Sequence, residues 1–308
     1  MEKVLITGGA GFIGSHLADK LIEKGHEVVV VDNLSTGSKQ NLNKLAKFYK
    51  ADIRDKKIEN IFQKEKPDVV FHFAAQINVR ESVEDPKGDA DVNIIGGLNI
   101  LENCKKYGIK KIIFSSTGGA IYGDANVLPT PENYVEYPMS PYGIAKLATE
   151  KYLNYYNRVF GIPFIALRFA NVYGPRQNSK GEAGVISIFC SKLFSGQQPI
   201  INGNGMQTRD FVYVLDVANA AILALRTEKI GVFNIGTRIE TNINDVFALI
   251  KSESRVNCNV AYGPASKGEQ QRSCLDYSKV KNELGWEPKY DLKNGIKETV
   301  EWFKKNKQ

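Results

Sequence analysis

Tyr142 and Lys146 are the pair best placed in this sequence to do acid–base chemistry. They stand four apart in Ser140-Pro141-Tyr142-Gly143-Ile144-Ala145-Lys146, which reads as a helix start. Ser140 suits the N-cap and Pro141 the first helical position. Residues four apart share a helix face, so the phenol and the ammonium point the same way. A free phenol titrates near pH ~10 and needs a neighbouring cation to act as a base at neutral pH. Tyr-x-x-x-Lys alone is common on helix surfaces, and a second feature gives it weight. Ile112-Ile113-Phe114-Ser115-Ser116-Thr117 is an apolar strand ending in three hydroxyls. The ligand crevice of an open α/β sheet lies at the carboxyl ends of its strands. A hydroxyl there can hold the substrate oxygen that Tyr142 deprotonates.

A second group of residues points to a nucleotide. Gly8-Gly9-Ala10-Gly11-Phe12-Ile13-Gly14 has the spacing G-x-x-G-x-x-G, with Gly8, Gly11 and Gly14 in the glycine positions. One glycine permits a tight turn, one lets the backbone approach a pyrophosphate, and one lets helix and strand pack closely. The pyrophosphate then meets the free N–H groups at a helix N-terminus. The run follows a strand, opens a helix and is followed by a second strand ending at Asp32, about 20 residues on. That carboxylate can accept both ribose hydroxyls of NAD and would repel a 2′-phosphate. No Arg or Lys follows it before Lys39. The expected cofactor is NAD rather than NADP.

These residues need a scaffold that brings strand ends together. Val4–Thr7, Glu27–Val31, Phe48–Ala51, Val69–Phe73, Lys111–Ser115 and Pro163–Arg168 read as short apolar strands. Amphipathic helical stretches such as Phe12–Lys24 and Asn93–Tyr107 lie between several of them. Such alternation predicts an α/β fold: a Rossmann-type doubly wound parallel sheet with right-handed crossovers. After Arg168 the rhythm changes to loops and turns, including Asn171–Gly184 and Gly203-Asn204-Gly205, and closes on an amphipathic helix at Leu292–Lys305. The expectation is an NAD-binding domain over residues 1–170 and a smaller mixed α/β substrate-binding domain over residues 171–308. Asp216–Leu225 reads as helical, and part of residues 207–240 is expected to return to the first domain.

Composition narrows the classes. The chain has 308 residues, 43% of them hydrophobic, enough for a sizeable core. No apolar run reaches the roughly 18 residues a membrane helix needs, and the first strand begins too near Met1 to leave room for a leader peptide. Lysine plus arginine exceeds aspartate plus glutamate by 41 − 34 = 7. The basic residues are scattered in short pairs, which reads as a solvated surface rather than a nucleic-acid footprint. Cys104, Cys190, Cys258 and Cys274 form no C-x-x-C pair and fit reduced thiols in the cytoplasm. His16, His26 and His72 have no metal spacing and read as structural.

The order of motifs carries a family resemblance. Beyond the glycine run, Asp32-Asn33-Leu34, Asp52-Ile53, His72-Phe73-Ala74-Ala75, Asn93, Ser115-Ser116-Thr117, Tyr142-x-x-x-Lys146, Arg168-Phe169-Ala170-Asn171-Val172-Tyr173-Gly174, Thr208-Arg209-Asp210-Phe211 and Leu284-Gly285-Trp286 occur in that sequence. The whole chain resembles the extended short-chain dehydrogenases/reductases and, within them, the UDP-glucose 4-epimerases. The resemblance implies an NAD site lined by Gly8, Gly11, Phe12, Ile13 and Gly14, by Asp32, Asn33, Leu34, Ser35, Thr36 and Gly37, by Asp52 and Ile53, by Phe73, Ala74, Ala75, Gln76 and Asn93, and by Ser115, Tyr142 and Lys146. It implies Tyr142, Lys146, Thr117 and Ser116 as catalytic candidates. It places Thr117, Gly118, Gly119, Tyr142, Asn171, Val185, Arg209 and Ser273 on a UDP-sugar, with Arg209 at the diphosphate. It also implies a homodimer pairing the helices around Asn93–Tyr107 and Tyr142–Phe160. The stripe Tyr152, Tyr155, Tyr156 fits either that interface or the intrachain core.

Two departures from the family pattern stand out. Gly118-Gly119-Ala120 separates Thr117 from Ile121-Tyr122-Gly123, one residue more than the usual spacing, which leaves either Ser116 or Thr117 to meet the substrate. A second diphosphate arginine is missing before Gly268-Glu269, where Ser266-Lys267 stands, leaving Lys267 or Arg272 as substitutes.

The choice of reaction follows from Gly118 and Gly119. Resembling 4,6-dehydratases carry an adjacent acid pair after the strand-end threonine, and decarboxylases a glutamate nearby. Glycines cannot transfer protons and are expected to leave room for a 4-ketopyranose to turn over. The expected activity is that of an isomerase interconverting UDP-glucose and UDP-galactose. A small residue at Ser273, where a bulky tyrosine restricts the pocket in resembling enzymes, predicts side activity on UDP-N-acetylglucosamine. A UDP-glucuronate epimerase, a 4,6-dehydratase, a decarboxylase and a non-catalytic NAD-binding sensor are the alternatives.

Overall fold

The computed structural model describes residues 1–179, 184–265 and 270–306. Its first part contains β1 (Lys3–Thr7), α1 (Phe12–Glu23), β2 (Glu27–Asp32), β3 (Lys47–Lys50), α2 (Lys57–Glu65), β4 (Val69–His72), α3 (Val79–Glu84), α4 (Pro86–Ala90), α5 (Gly96–Lys106), β5 (Lys111–Thr117), α6 (Gly118–Ile121), α7 (Pro141–Phe160) and β6 (Phe164–Phe169). There follow β7 (Asn171–Tyr173), α8 (Val185–Phe194), β8 (Ile200–Asn202), β9 (Thr208–Tyr213), α9 (Val214–Arg226), β10 (Gly231–Ile235), β11 (Glu240–Asn242), α10 (Ile243–Ser254), β12 (Ala261–Gly263), α11 (Ser278–Leu284) and α12 (Leu292–Lys305).

Seven parallel strands form one sheet in the order β10-β6-β5-β4-β1-β2-β3. The strand order reverses between β1 and β4, which opens the crevice where doubly wound sheets bind nucleotides. Both faces are covered, so alternate residues of one strand enter different cores. Val4 and Ile6 of β1 pack with Leu17 and Leu21 of α1 and Val217 and Ala221 of α9. Leu5 packs on the opposite face with Phe62, Ile100 and Leu153 of α2, α5 and α7. A third core joins α8, α10 and α12 beside the small sheets β11-β9-β7 and β12-β8. The strand β10 lies within the 207–240 stretch and pairs with β6, and α9 lies against α1.

The local signals for α7 operate as its sequence predicts. The Ser140 hydroxyl accepts the Gly143 N–H at 3.2 Å, Pro141 opens the helix, and Gly161 closes it at φ 71°. The expected helix over Asn93–Tyr107 differs: a π turn over Asp91–Ile95 precedes α5. Asn93 sits inside that wider turn, where its amide donates to the Gln76 carbonyl at 2.9 Å and to Asp89 at 3.0 Å. Strands β5 and β6 run further than expected, to Thr117 and Phe169, because their pairing continues from Ser116–Arg168 to Thr117–Phe169. Among the described residues, no helix is long and apolar enough to cross a membrane.

Candidate active site

Around the turn from β1 into α1, Gly8 and Gly14 leave no room for a side chain. Gly8 has φ +74°, and a Cβ there would stand 2.7 Å from the Ala74 nitrogen. A Cβ at Gly14 would run into the Gly8 carbonyl oxygen. Gly11 is the N-cap of α1, with no side chain capping it and no acid in the first turn. The first N–H groups of α1 are therefore available to an anion. Asp32 accepts the N–H groups of Ala10 at 3.0 Å and Leu34 at 2.8 Å, which ties the end of β2 to the glycine turn. Burial pushes its carboxyl above the usual range, and these two N–H bonds oppose the shift. A glycine cradle, an uncapped helix start and a strand-end carboxylate fit a dinucleotide.

Neighbouring residues complete the wall in different ways. Asn33 donates to Asp52 at 3.0 Å, and Arg54 binds the same carboxylate through Nε and Nη2, each at 2.9 Å. The Arg54 guanidinium holds the Asp52 carboxyl well below the usual carboxylate range. Phe73 and Ala74 donate backbone N–H groups to Thr7 Oγ1, both at 3.2 Å. Gln76 donates its N–H to Asn93 Oδ1 at 3.0 Å. Ser35, Thr36 and Gly37 line a second cavity of about 340 Å³ with Arg176 and Trp302. Ile53 is buried in the core, where it packs under Gly96.

The larger cleft, about 520 Å³, lies between the sheet and the C-terminal elements. Phe12, Ile13, Thr117 and Tyr142 line one side; Asn171, Val185, Gln207, Arg209 and Phe211 line the other. The Lys146 ammonium is buried, donates to the Ser115 carbonyl at 2.8 Å, and sits 5.8 Å from the Tyr142 ring centre. Burial pushes its pKa down to about 7, against an upward pull from Asp89 and Glu150. The helix that carries Tyr142 is braced at its start by Ser82, whose hydroxyl accepts the Tyr142 N–H at 3.2 Å.

Residues 4–236 match the model of the "NAD dependent epimerase/dehydratase family". The chain belongs to this family. Among solved structures, the UDP-glucose 4-epimerase of Thermotoga maritima with UDP-glucose is 51% identical, has a TM-score of 0.97, and matches over 99% of this chain and 100% of its own. The Thermus thermophilus UDP-glucose 4-epimerase in complex with NAD is 42% identical, TM-score 0.94, over 98% of each chain. The UDP-N-acetylglucosamine 4-epimerase of Methanobrevibacter ruminantium, in complex with UDP-N-acetylmuramic acid, is 36% identical, TM-score 0.94, over 99% of each chain.

Against that family pattern, several expected site residues have other partners. Ser116 and Thr117 both line the cleft; the Ser116 hydroxyl donates to Glu150 at 2.5 Å, and Thr117 caps α6 by accepting the Ala120 N–H at 3.3 Å. Gly118 does not leave space: a Cβ there would lie 2.7 Å from Leu275 Cδ2 and closer still to Cδ1. Gly119 does face open space. Asn93 spends its amide on Gln76 and Asp89. Ser273 is buried and is not among the cleft-lining residues; it lies between Arg272, which bridges to Thr208, and Leu275. Arg272 is paired with Glu240 at 2.5 Å, and Lys267 lies outside the described residues. The tyrosine stripe divides: Tyr156 is buried and donates to Glu102, while Tyr152 and Tyr155 are exposed. Ile77, Arg80 and Gln177 also line the cleft, and no motif or spacing in the sequence marks them. Glu150 could have been found, because it continues the Tyr142–Lys146 face by one more step of four.

Proposed function

We propose that the protein catalyses NAD-dependent 4-epimerisation of UDP-hexoses, interconverting UDP-glucose and UDP-galactose. The observation that carries this reading is the joining of Tyr142, Thr117, Asn171 and Arg209 in one cleft, with Lys146 behind the phenol and no acid at Gly118 or Gly119.

The glycine turn and Asp32 would hold NAD, whose chemistry when bound is reversible two-electron oxidation at the sugar C4. Tyr142 takes the proton of the 4-hydroxyl and returns it once the ring has presented its other face. The Lys146 ammonium stabilises the tyrosinate. The Thr117 hydroxyl holds O4 at the phenol, and Arg209 pairs with the diphosphate as a charge-assisted donor. Gly119 and the breadth of the cleft supply the room for the ring to turn. Residues 1–170 with α9 and β10 form the NAD-binding unit, and the rest of 171–308 holds the UDP-sugar.

Purified protein given UDP-galactose should yield UDP-glucose without net NADH. A 4-keto-6-deoxy product would replace this reading with a dehydratase. Similarity to a UDP-N-acetylglucosamine 4-epimerase supports additional turnover of UDP-N-acetylglucosamine; Ser273, buried outside the cleft lining, would act on the sugar through its neighbours.

The protein acts as a homodimer in this reading. Tyr152, Tyr155, Val159 and Phe160 of α7 leave an apolar face exposed, which a second copy would cover. Tyr155→Glu should shift sedimentation to the monomer; an unchanged dimer would reject this face. Unpaired thiols at all four cysteines fit a reducing, cytoplasmic setting, which fractionation of cells would check.

A further inference from the structure

We propose that Glu150 is a positioning residue for the reaction, clamping the end of β5 to α7 through Ser116 and Arg168 so that Thr117 and Lys146 keep their places beside Tyr142. This rests on the epimerase reading.

Tyr142, Lys146 and Glu150 follow one another in steps of four along α7 and share a face. Each of the last two bonds a different residue at the end of β5. Lys146 Nζ donates to the Ser115 carbonyl at 2.8 Å, and Glu150 Oε1 accepts the Ser116 hydroxyl at 2.5 Å. Glu150 is held in turn by Arg168, from Nε at 3.0 Å and Nη2 at 2.6 Å. Arg168 stands directly beside Ser116 in the β5–β6 register. It also donates to Glu136 at 2.7 Å and to the Tyr122 hydroxyl at 2.9 Å, and that hydroxyl donates to Asn234 at 2.9 Å.

Ser116, Glu150 and Arg168 are each 3% exposed or less. A buried ion pair stabilises little beyond what well-packed apolar side chains would achieve, because desolvation offsets the attraction. What such a cluster does supply is one fixed arrangement of bonds. Here that arrangement lies beneath the reacting groups. With the Ser116 hydroxyl donating its hydrogen bond to Glu150, Thr117, whose side chain leaves the strand on the opposite face, is the hydroxyl left for the sugar.

The charged and titratable groups acting on Lys146 are Glu150 on its own helix, Asp89 on α4, His72 on β4 and Tyr142. Glu150→Gln removes one of the two carboxylates that favour the ammonium. Lys146 would then lose its proton at lower pH.

The test compares Glu150→Gln, Ser116→Ala and Ser116→Thr with the wild type, measuring kcat and KM for UDP-galactose, the pH profile of kcat, and thermal unfolding. Glu150→Gln should lower kcat by about tenfold or more, leave KM within about twofold, and move the alkaline limb of the profile to lower pH. Ser116→Ala should lower kcat by roughly three- to tenfold without moving that limb, and Ser116→Thr should restore most of it. A folded Glu150→Gln with wild-type kcat and profile would overturn the clamp. If that variant does not fold, Ser116→Ala decides alone, and an unchanged kcat there overturns the proposal. A wild-type protein without epimerase turnover would instead overturn the function reading; losses measured relative to an active wild type bear on the clamp.

Discussion

The Lys146 ammonium is anchored to the Ser115 carbonyl, at 2.8 Å, and not to a carboxylate. A cation so held, 4.7 Å from the Phe114 ring centre and fully buried, has its pKa pushed down to about 7. Its charge is retained at the expense of stability, as active-site groups often are.

Lys146→Met should therefore lower kcat by roughly 10²–10⁴-fold while raising the melting temperature, since it removes a buried charge of nearly the same length. Tyr142→Phe should lose a similar fraction of turnover and keep its bound nucleotide. Calorimetry, turnover and nucleotide content on the same preparations check both. A melting temperature that falls in Lys146→Met would contradict the view that this charge burdens the fold.

Gly118 and Gly119 should respond oppositely to one methyl group. Gly118→Ala must displace Leu275, which is 1% exposed and pinned by its N–H to Asp210 at 3.1 Å. The cost should be about 1–3 kcal/mol. Gly119→Ala meets nothing within 4 Å and lies in α6, so it should be neutral or stabilising by up to about 1 kcal/mol. Chemical denaturation of the two variants measures the difference, and equal effects would refute it.

Ser273→Tyr tests the sugar range. It should abolish turnover of UDP-N-acetylglucosamine and spare UDP-glucose. Mass-resolved assays of both sugars side by side distinguish this from equal loss of both, the outcome expected if the larger side chain only disrupts packing at that buried position.

Acid should weaken the fold through two histidines. His72 is buried against Thr7 Oγ1 at 2.8 Å, and desolvation pushes its pKa down to about 3. His16 bonds the Pro175 carbonyl at 2.9 Å and is pushed down to about 4, again mainly by burial. Both folded values lie below the ordinary 6.5, so the unfolded chain binds more protons under acid conditions. Stability is fully present above pH 6.5 and declines as pH falls toward 4, by about 1.4 kcal/mol per pH unit for each group. His16→Gln should flatten that decline in denaturant titrations between pH 6.5 and 4; an unchanged slope would exclude His16 as a contributor.

The parts of the site that are readable in the sequence are those whose cause is local. The glycine turn, Asp32 at the end of β2, and the Ser140 cap of α7 each depend on a few adjacent residues, and their spacing carries the signal. The partner of the Ser116 hydroxyl is not readable, because Glu150 reaches it from another element. The packing of Gly118 depends on Leu275, which arrives from far along the chain. Helical periodicity from Asn93 does not register the π turn over Asp91–Ile95, within which Asn93 bonds the Gln76 carbonyl. The tyrosine stripe reads as one surface, yet Tyr156 is set apart by its place in the core and its hydrogen bond to Glu102.

The return of β10 to the edge of β6 has a consequence for anyone who would cut this protein apart. Severing the chain after residue 170 would strip β6 of its outer partner and uncover the side of α1 that α9 protects. The same helix receives the Trp286 indole N–H at the Asp216 carbonyl, 2.9 Å away, so the last third of the chain is fastened to the first through it. The nucleotide-binding portion is thus not a transplantable cassette. It becomes whole only after the ribosome has made β10, and a fusion or truncation that respects the fold must keep both ends of the polypeptide.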